Sequence, residues 1–307
     1  MQLYNNTPLI ESQALSDLLN AKVYLKMESM QPTGSFKDRG ISALCREYLE
    51  KERTECFVTS SGGNAGLAAA HAGRKLGVRV RVIVPKTTLK MMIDKIKQQG
   101  AEVEIEGESW AEADVKAREI AKNPKHAYIP PFDHPTIWKG HSTIIDEIQA
   151  AGVIPDAMIV SVGGGGLFSG IMEGIKRVGW NTTVYTAETE GAASFYDSMK
   201  EKKRVTLKSI NTIAVTLGAK TICEKAFDYG LKESVVPFLV SDKQAVDAVK
   251  KFINDHRVLT EPACGASLAL GYEKRIPPGK HKTIVIVVCG GSGTSLELIK
   301  KWDEILL

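Results

Sequence analysis

Cysteine, histidine and long apolar runs are all scarce in this 307-residue chain, and each shortage removes a class of function. Five cysteines stand at 45, 56, 223, 264 and 289, with no CxxC and no paired spacing. An odd count in a chain this large argues against a disulfide framework or a zinc ribbon and for a reduced, cytoplasmic protein. Six scattered histidines include no HExxH, which speaks against a metal hydrolase. The longest apolar run, Ile284 to Val288 with Cys289 after it, is far too short to cross a bilayer. The opening residues, Met1-Gln2-Leu3-Tyr4-Asn5-Asn6, lack the basic and apolar regions of a signal peptide. Charge of one sign is missing too: Lys+Arg 40 against Asp+Glu 36 leaves +4, which gives no case for nucleic acid or an anionic membrane as partner. Neither GxxxxGK[ST] nor a GxGxxG with a placed acidic residue occurs, so an ATP loop or a dinucleotide site is poorly supported.

What is present is an alternation of strands and helices. Val23–Met27, Cys56–Thr59, Val78–Val84, Glu102–Ile105, Ala157–Val162, Val184–Glu188 and Thr283–Val288 read as strands. Helices are predicted at Leu67–Leu76 (closed by Gly77), Lys90–Gln99, Trp110–Ala121, Thr136–Ala150 and Leu167–Val178. More follow near 222–231, 242–255, Cys264–Lys274 and Ser295–Ile305. This order predicts an α/β protein with parallel sheets covered on both faces. From Asn123 to Pro135 four prolines crowd together with Asp133, which reads as a crossing between two domains. Residues 1–31 plus 136–307 then form a large domain and 32–135 a small one. Gly191–Ala219 reads as irregular.

Four stretches carry chemistry. In Pro32-Thr33-Gly34-Ser35-Phe36-Lys37-Asp38-Arg39-Gly40 a turn delivers Lys37 to the opening of a helix, with Ser35 as cap and Asp38 as a short capping-box partner. The positive helix end disfavours an ammonium there, and a lysine easily neutralised suits imine formation with an aldehyde. Gly163-Gly164-Gly165-Gly166 follows a strand and opens a helix, so its backbone N–H groups can converge on an oxyanion; close packing of a tight connection is the competing demand. Ser60-Ser61-Gly62-Gly63-Asn64-Ala65-Gly66 adds hydroxyls and an amide to a second such turn, which suits a small carboxylate or a plain N-cap. Cys289-Gly290-Gly291-Ser292-Gly293 ends the strongest strand, where ligands of parallel α/β sheets sit, although Cys289 alone reads as core. A lysine, a phosphate cup and a carboxylate turn at strand ends together describe a site for pyridoxal phosphate and an amino acid.

Along nearly its whole length the sequence resembles the tryptophan-synthase-β-like pyridoxal-phosphate enzymes of fold type II, and among them the serine/threonine dehydratases, nearest the short L-serine dehydratases and serine-dehydratase-like proteins. The resemblance rests on Gly34–Lys37, Ser60–Gly66, Gly163–Leu167, Glu188–Ala192, Glu261–Ala266 and Val287–Ser292. It implies two three-layer α/β/α domains, the large one binding the cofactor. It also implies that Lys37 bonds to the cofactor aldehyde and Phe36 packs against the ring, while Asn64 contacts the 3′-oxygen. Gly163, Gly164, Gly165, Gly166 and Leu167 would hold the phosphate, and Cys289 would face the pyridine nitrogen. Ser61, Gly62 and Asn64 fall where the substrate carboxylate binds. Gly163, Glu188, Ala192, Leu217 and Ala219 match positions that coordinate a monovalent cation, K+ or Na+.

The activity implied is β-elimination of L-serine, and of L-threonine, by a homodimer, giving pyruvate or 2-oxobutyrate and ammonia. A thiol at the ring nitrogen should leave the ring largely unprotonated and favour loss of the β-hydroxyl over transamination. Two departures stand out: Gly62 replaces a usual alanine or serine, and Thr216 replaces a small apolar residue over the second ring face. Cysteine-synthase-like β-replacement, serine racemisation and a catalytically idle sensor of amino acid or cofactor are the competing readings.

Overall fold

Residues 2–52 and 54–306 are described by a computed structural model, and their arrangement follows from where the apolar runs fall. In chain order the elements are β1 (Leu9–Glu11), α1 (Gln13–Leu19), β2 (Lys22–Lys26), α2 (Lys37–Glu52), β3 (Cys56–Thr59), α3 (Asn64–Leu76), β4 (Arg79–Val84), α4 (Lys90–Gln98), β5 (Glu102–Ile105), α5 (Trp110–Ile120) and β6 (His126–Tyr128). The chain continues through α6 (Pro135–Ala150), β7 (Ala157–Ser161), α7 (Gly166–Val178), β8 (Thr183–Thr189), α8 (Ser194–Glu201), α9 (Glu224–Lys232), β9 (Val235–Val240), α10 (Asp242–His256), α11 (Pro262–Tyr272), β10 (Thr283–Val287) and α12 (Leu296–Ile305).

Two sheets result. One has six strands in the order β1-β2-β10-β7-β8-β9, the other four in the order β5-β4-β3-β6. Only β1 runs antiparallel to its neighbour among the described residues. The central strands β3 and β7 are buried along their whole length, as parallel strands covered on both faces must be. The larger core gathers β2, β7, β8 and β10 with α6, α7 and α11; a second lies between the smaller sheet and α2 and α3, and α5 covers the opposite face. No helix among the described residues is long and apolar enough to cross a membrane.

Three readings of the sequence need correction. The proline-rich crossing contains β6, whose three residues extend the smaller sheet by pairing Cys56 with His126 and Val58 with Tyr128. It is too short and too close to prolines to show a periodicity. The stretch read as irregular holds α8 and two 3₁₀ turns, at 190–192 and 215–217. β9 went unpredicted because Pro237 interrupts it, which an edge strand tolerates.

The start of α2 also departs from the predicted cap. Asp38 does not return to Ser35; its carboxylate accepts the Thr33 N–H at 2.8 Å and the Thr33 hydroxyl at 2.6 Å. The Ser35 hydroxyl is buried with no partner among the described residues. The acid therefore closes the Pro32–Gly34 turn rather than boxing the helix.

Just beyond, Arg39 fixes α2 to the larger sheet. Its guanidinium donates to Glu28 at 2.7 and 2.8 Å and to Glu147 at 2.6 and 2.8 Å. Lys26 donates to Glu147 and, at 2.6 Å, to the Thr7 carbonyl, so two cations and two carboxylates balance in a site that is buried except at the edge of Glu147. At the next residue α2 crosses α6 so closely that a Cβ on Gly140 would lie 2.6 Å from the Gly40 Cα. Removing one charge from such a cluster strands the rest. Glu28→Gln should cost about 3–5 kcal/mol of unfolding free energy, read from urea denaturation. A loss under about 1 kcal/mol would show that Arg39 finds compensation elsewhere.

Candidate active site

The first and last of the four stretches meet as one structure. After β10 the chain folds back on the Pro32–Phe36 turn through an antiparallel bridge between Ser35 and Gly290. Phe36 N–H donates to the Cys289 carbonyl at 3.1 Å, and Gly291 N–H to the Gly34 carbonyl at 2.9 Å. Gly290 must be glycine: its φ is +107°, and a Cβ would lie 2.1 Å from the Gly34 oxygen. This docking sets Lys37, the first residue of α2, beside the Cys289 thiol.

Lys37 is half-buried, with Nζ 5.1 Å from the centre of the Phe36 ring and bonded to the Pro131 carbonyl. Burial pulls its ammonium down to about 8, against the opposing pull of Cys289 and Glu261. The direction matches the sequence argument, but the dominant cause is loss of water rather than the helix end. The Cys289 thiol is pushed well above its ordinary value by its hydrogen bond with Cys264 and by burial, so it stays protonated. Phe36 rests edge-on against His141, ring centres 4.9 Å apart, and His141 is buried with both ring nitrogens unpartnered among the described residues.

The glycine loop is closely walled, and it opens a helix without a side-chain cap. A Cβ on Gly164 would strike the Phe132 ring at 2.5 Å, one on Gly165 would strike Ala226 at 2.4 Å, and one on Gly163 would come within 3.2 Å of the Leu217 Cα. Close walls therefore require glycine here. Gly165, at φ +92°, occupies the cap position of α7 and supplies no side chain, so the first N–H groups of that helix are left without a side-chain cap. Gly166 and Leu167 begin the helix. The result is an anion cradle fit for a phosphate.

The Ser60–Gly66 turn divides its polar groups. Ser60 turns away and donates to Asp114 at 2.6 Å, whereas Ser61 accepts only the Gly63 N–H, at 3.4 Å. α3 begins at Asn64, three residues before the predicted start, and Gly63 gives it no side-chain cap. Its N-terminus is thus open for a carboxylate. Asn64 is held on both sides: Nδ2 donates to Glu261 at 2.9 Å, and Oδ1 accepts the Ser292 N–H at 3.2 Å. Gly62 has no room for a Cβ, which would meet Thr88 at 2.6 Å. Thr216 sends its hydroxyl to Glu261 at 2.6 Å, and its methyl carbon lies toward Gly63, 3.9 Å from where a Cβ would stand there.

For the cation set, β7 and β8 run in register and Val162 N–H donates to the Ala187 carbonyl, which brings Gly163 next to Glu188. Gly163 packs on Leu217, and Ala219 N–H reaches the Leu217 carbonyl at 2.7 Å. Ala192 is buried in the turn that follows β8. Glu188 accepts the Phe195 and Tyr196 N–H groups at 2.9 and 2.6 Å, yet burial pushes it up to about 8. No basic side chain pairs with it among the described residues. A buried carboxylate so placed fits an added positive charge. No group of three or more His, Cys, Asp or Glu suited to a metal occurs among the described residues.

Phe132 and Glu261 were assigned no role from sequence. Phe132 hides in the proline-rich segment, and Glu261 sits in a motif whose spacing says nothing of what its side chain touches.

The family profile described as pyridoxal-phosphate dependent enzyme matches residues 1–290. The chain is 42% identical over 314 residues to an L-serine dehydratase of Dictyostelium discoideum, covering 96% of this chain and 90% of the relative. It is 43% identical over 305 residues to the L-serine dehydratase/L-threonine deaminase of Bos taurus, covering 96% and 93%. A fungal L-serine ammonia-lyase from Rhizomucor miehei superposes with a TM-score of 0.94 at 36% identity over 100% of both chains. With an amine, a thiol and two uncapped helix ends gathered at one cleft, this protein belongs to the pyridoxal-phosphate dependent enzymes.

Proposed function

We propose that the protein is an L-serine ammonia-lyase, also acting on L-threonine, that uses pyridoxal phosphate at Lys37 and releases pyruvate or 2-oxobutyrate with ammonia. The observation that carries the reading is Lys37 itself, an amine drawn down to about 8 beside a thiol that stays protonated. The curated relatives named above support the substrate class. When bound, the cofactor supplies an electron-accepting ring that stabilises negative charge at the substrate α-carbon.

The chain's own groups divide the work. Gly163–Leu167 would hold the phosphate on the open end of α7, and Phe36 would flank the ring. Ser61, Gly62 and Asn64, at the open end of α3, would bind the substrate carboxylate. Lys37 Nζ, neutral in a large fraction of molecules near pH 8, would take the α-proton. Cys289 would face the ring nitrogen, and a thiol raised well above its ordinary value would be too weak an acid to protonate it, which would favour departure of the β-hydroxyl over transamination. Glu188 with the backbone of Gly163, Ala192, Leu217 and Ala219 would hold K+ or Na+. A cytoplasmic homodimer is the assembly the resemblance implies, and five free, buried cysteines suit a reducing compartment.

Lys37→Ala should abolish formation of oxo-acid from L-serine and the borohydride-sensitive absorption of the lysine-linked cofactor; a variant that still deaminates serine would sink the assignment. Running the wild type on L- and D-serine and L- and D-threonine in the same assay separates the lyase from a racemase, and a colourless wild type favours the idle sensor. Because only the neutral amine attacks an aldehyde, capture of cofactor by the apoprotein should accelerate about tenfold per pH unit below about 8 and level off above it. A rate flat between pH 6 and 9 contradicts the lowered lysine. Exchanging K+ or Na+ for a bulky organic cation should lower turnover several-fold, and unchanged turnover would remove the ion site.

A further inference from the structure

Glu261 is the one carboxylate at the cleft that the reading above leaves without a task. It stands at the N-cap of α11, buried, with burial pushing it up to about 7. The Cys289–Gly293 loop is packed against it so tightly that a Cβ on Gly291 would lie 2.5 Å from its Cβ. Three donors converge on the carboxylate: the Thr216 hydroxyl at 2.6 Å, Asn64 Nδ2 at 2.9 Å and the Gly293 N–H.

The Asn64 contact has a consequence for chemistry. An asparagine amide can turn over, exchanging an acceptor oxygen for a two-hydrogen donor. With Glu261 ionised, one orientation alone satisfies both neighbours, because the carboxylate accepts and the Ser292 N–H donates. Turned over, Oδ1 would face a carboxylate oxygen and Nδ2 would face an N–H, two repulsive contacts in a buried site. The locked amide spends one Nδ2 hydrogen on Glu261 and keeps the other as a donor.

We propose that Glu261 is a positioning residue that locks the Asn64 amide as a hydrogen-bond donor toward the phenolic oxygen of the cofactor, an inference that rests on the cofactor reading above. A glutamine at this position presents an amide of its own and removes the distinction that sets the orientation.

The test is a double-mutant cycle on E261Q and N64A, with cofactor dissociation constant and absorption maximum as readouts. Each single variant should weaken cofactor binding about tenfold and shift the maximum, and the double variant should be no worse than N64A alone. In cofactor-free protein the Asn64 side-chain amide should exchange its hydrogens faster in E261Q than in wild type, a readout that needs no bound cofactor. E261D, which keeps the charge, should recover part of the binding and covers the case in which E261Q folds poorly. Additive losses in the double variant, or an Asn64 amide indifferent to E261Q, would overturn the lock and leave the assignment at Lys37 standing. A wild type that takes up no cofactor would overturn both.

Discussion

The site depends on one piece of docking, the seating of the Gly290–Ser292 backbone against the turn that precedes α2. Each partner is fixed independently. The loop grows from β10, whose pairing with β2 and β7 buries it in the middle of the larger sheet. The turn is closed by Asp38 from within and by the Arg39 ion cluster from behind. Ser292 adds to the join with its hydroxyl on the Thr33 carbonyl, its N–H on Asn64 and its carbonyl accepting Lys95 of α4. Three segments of the 32–95 region therefore converge on a single residue of the larger sheet's last loop. The position of the Lys37 backbone relative to Cys289 follows from backbone bonds, and its amine is then held by the Pro131 carbonyl.

Burial then sets the chemistry. The same loss of water pulls Lys37 down to about 8 and raises Glu188 to about 8 and Glu261 to about 7. These groups are held where neither charge state is strongly preferred at neutral pH, the condition under which a proton or a cation can be taken up cheaply. The ion cluster around Arg39 shows the contrasting arrangement. There buried charges are matched in sign and number and saturated with hydrogen bonds, so they hold structure. Unmatched charge at the cleft and matched charge behind it separate the reactive part of α2 from its anchor within a few residues.

Much of this was legible in the chain, and what was missed has physical reasons. The buried parallel strands announced themselves as unbroken apolar runs, as in Ile284–Val288, and the glycine turns marked where strands end. Among the four edge strands of the described residues only β5 did. β1, β6 and β9 are short or carry proline, because an edge strand needs neither length nor a full set of N–H donors. The capping pattern at Ser35 and Asp38 misled because spacing cannot tell which of two nearby groups an aspartate will reach, and Thr33 offers both an N–H and a hydroxyl. Glu261 was hidden for a similar reason: its partners, Asn64 and Thr216, lie far off in sequence and are brought to it only by the fold.

The glycine turns posed a choice between tight packing and ligand binding, and close packing does not rule the other out. Removing side chains from Gly163–Gly166 lets Phe132, Ala226 and Leu217 close around the loop. Those walls shield the loop from bulk solvent, and Gly165 at the cap position supplies no hydroxyl or carboxylate to occupy the end of α7. At Gly62 the same logic runs in reverse: the space a Cβ would need is already filled by Thr88, so the pocket keeps its wall while the turn loses its methyl. Dense packing around bare backbone thus walls in a helix start that has no side-chain cap, an arrangement that suits an anion.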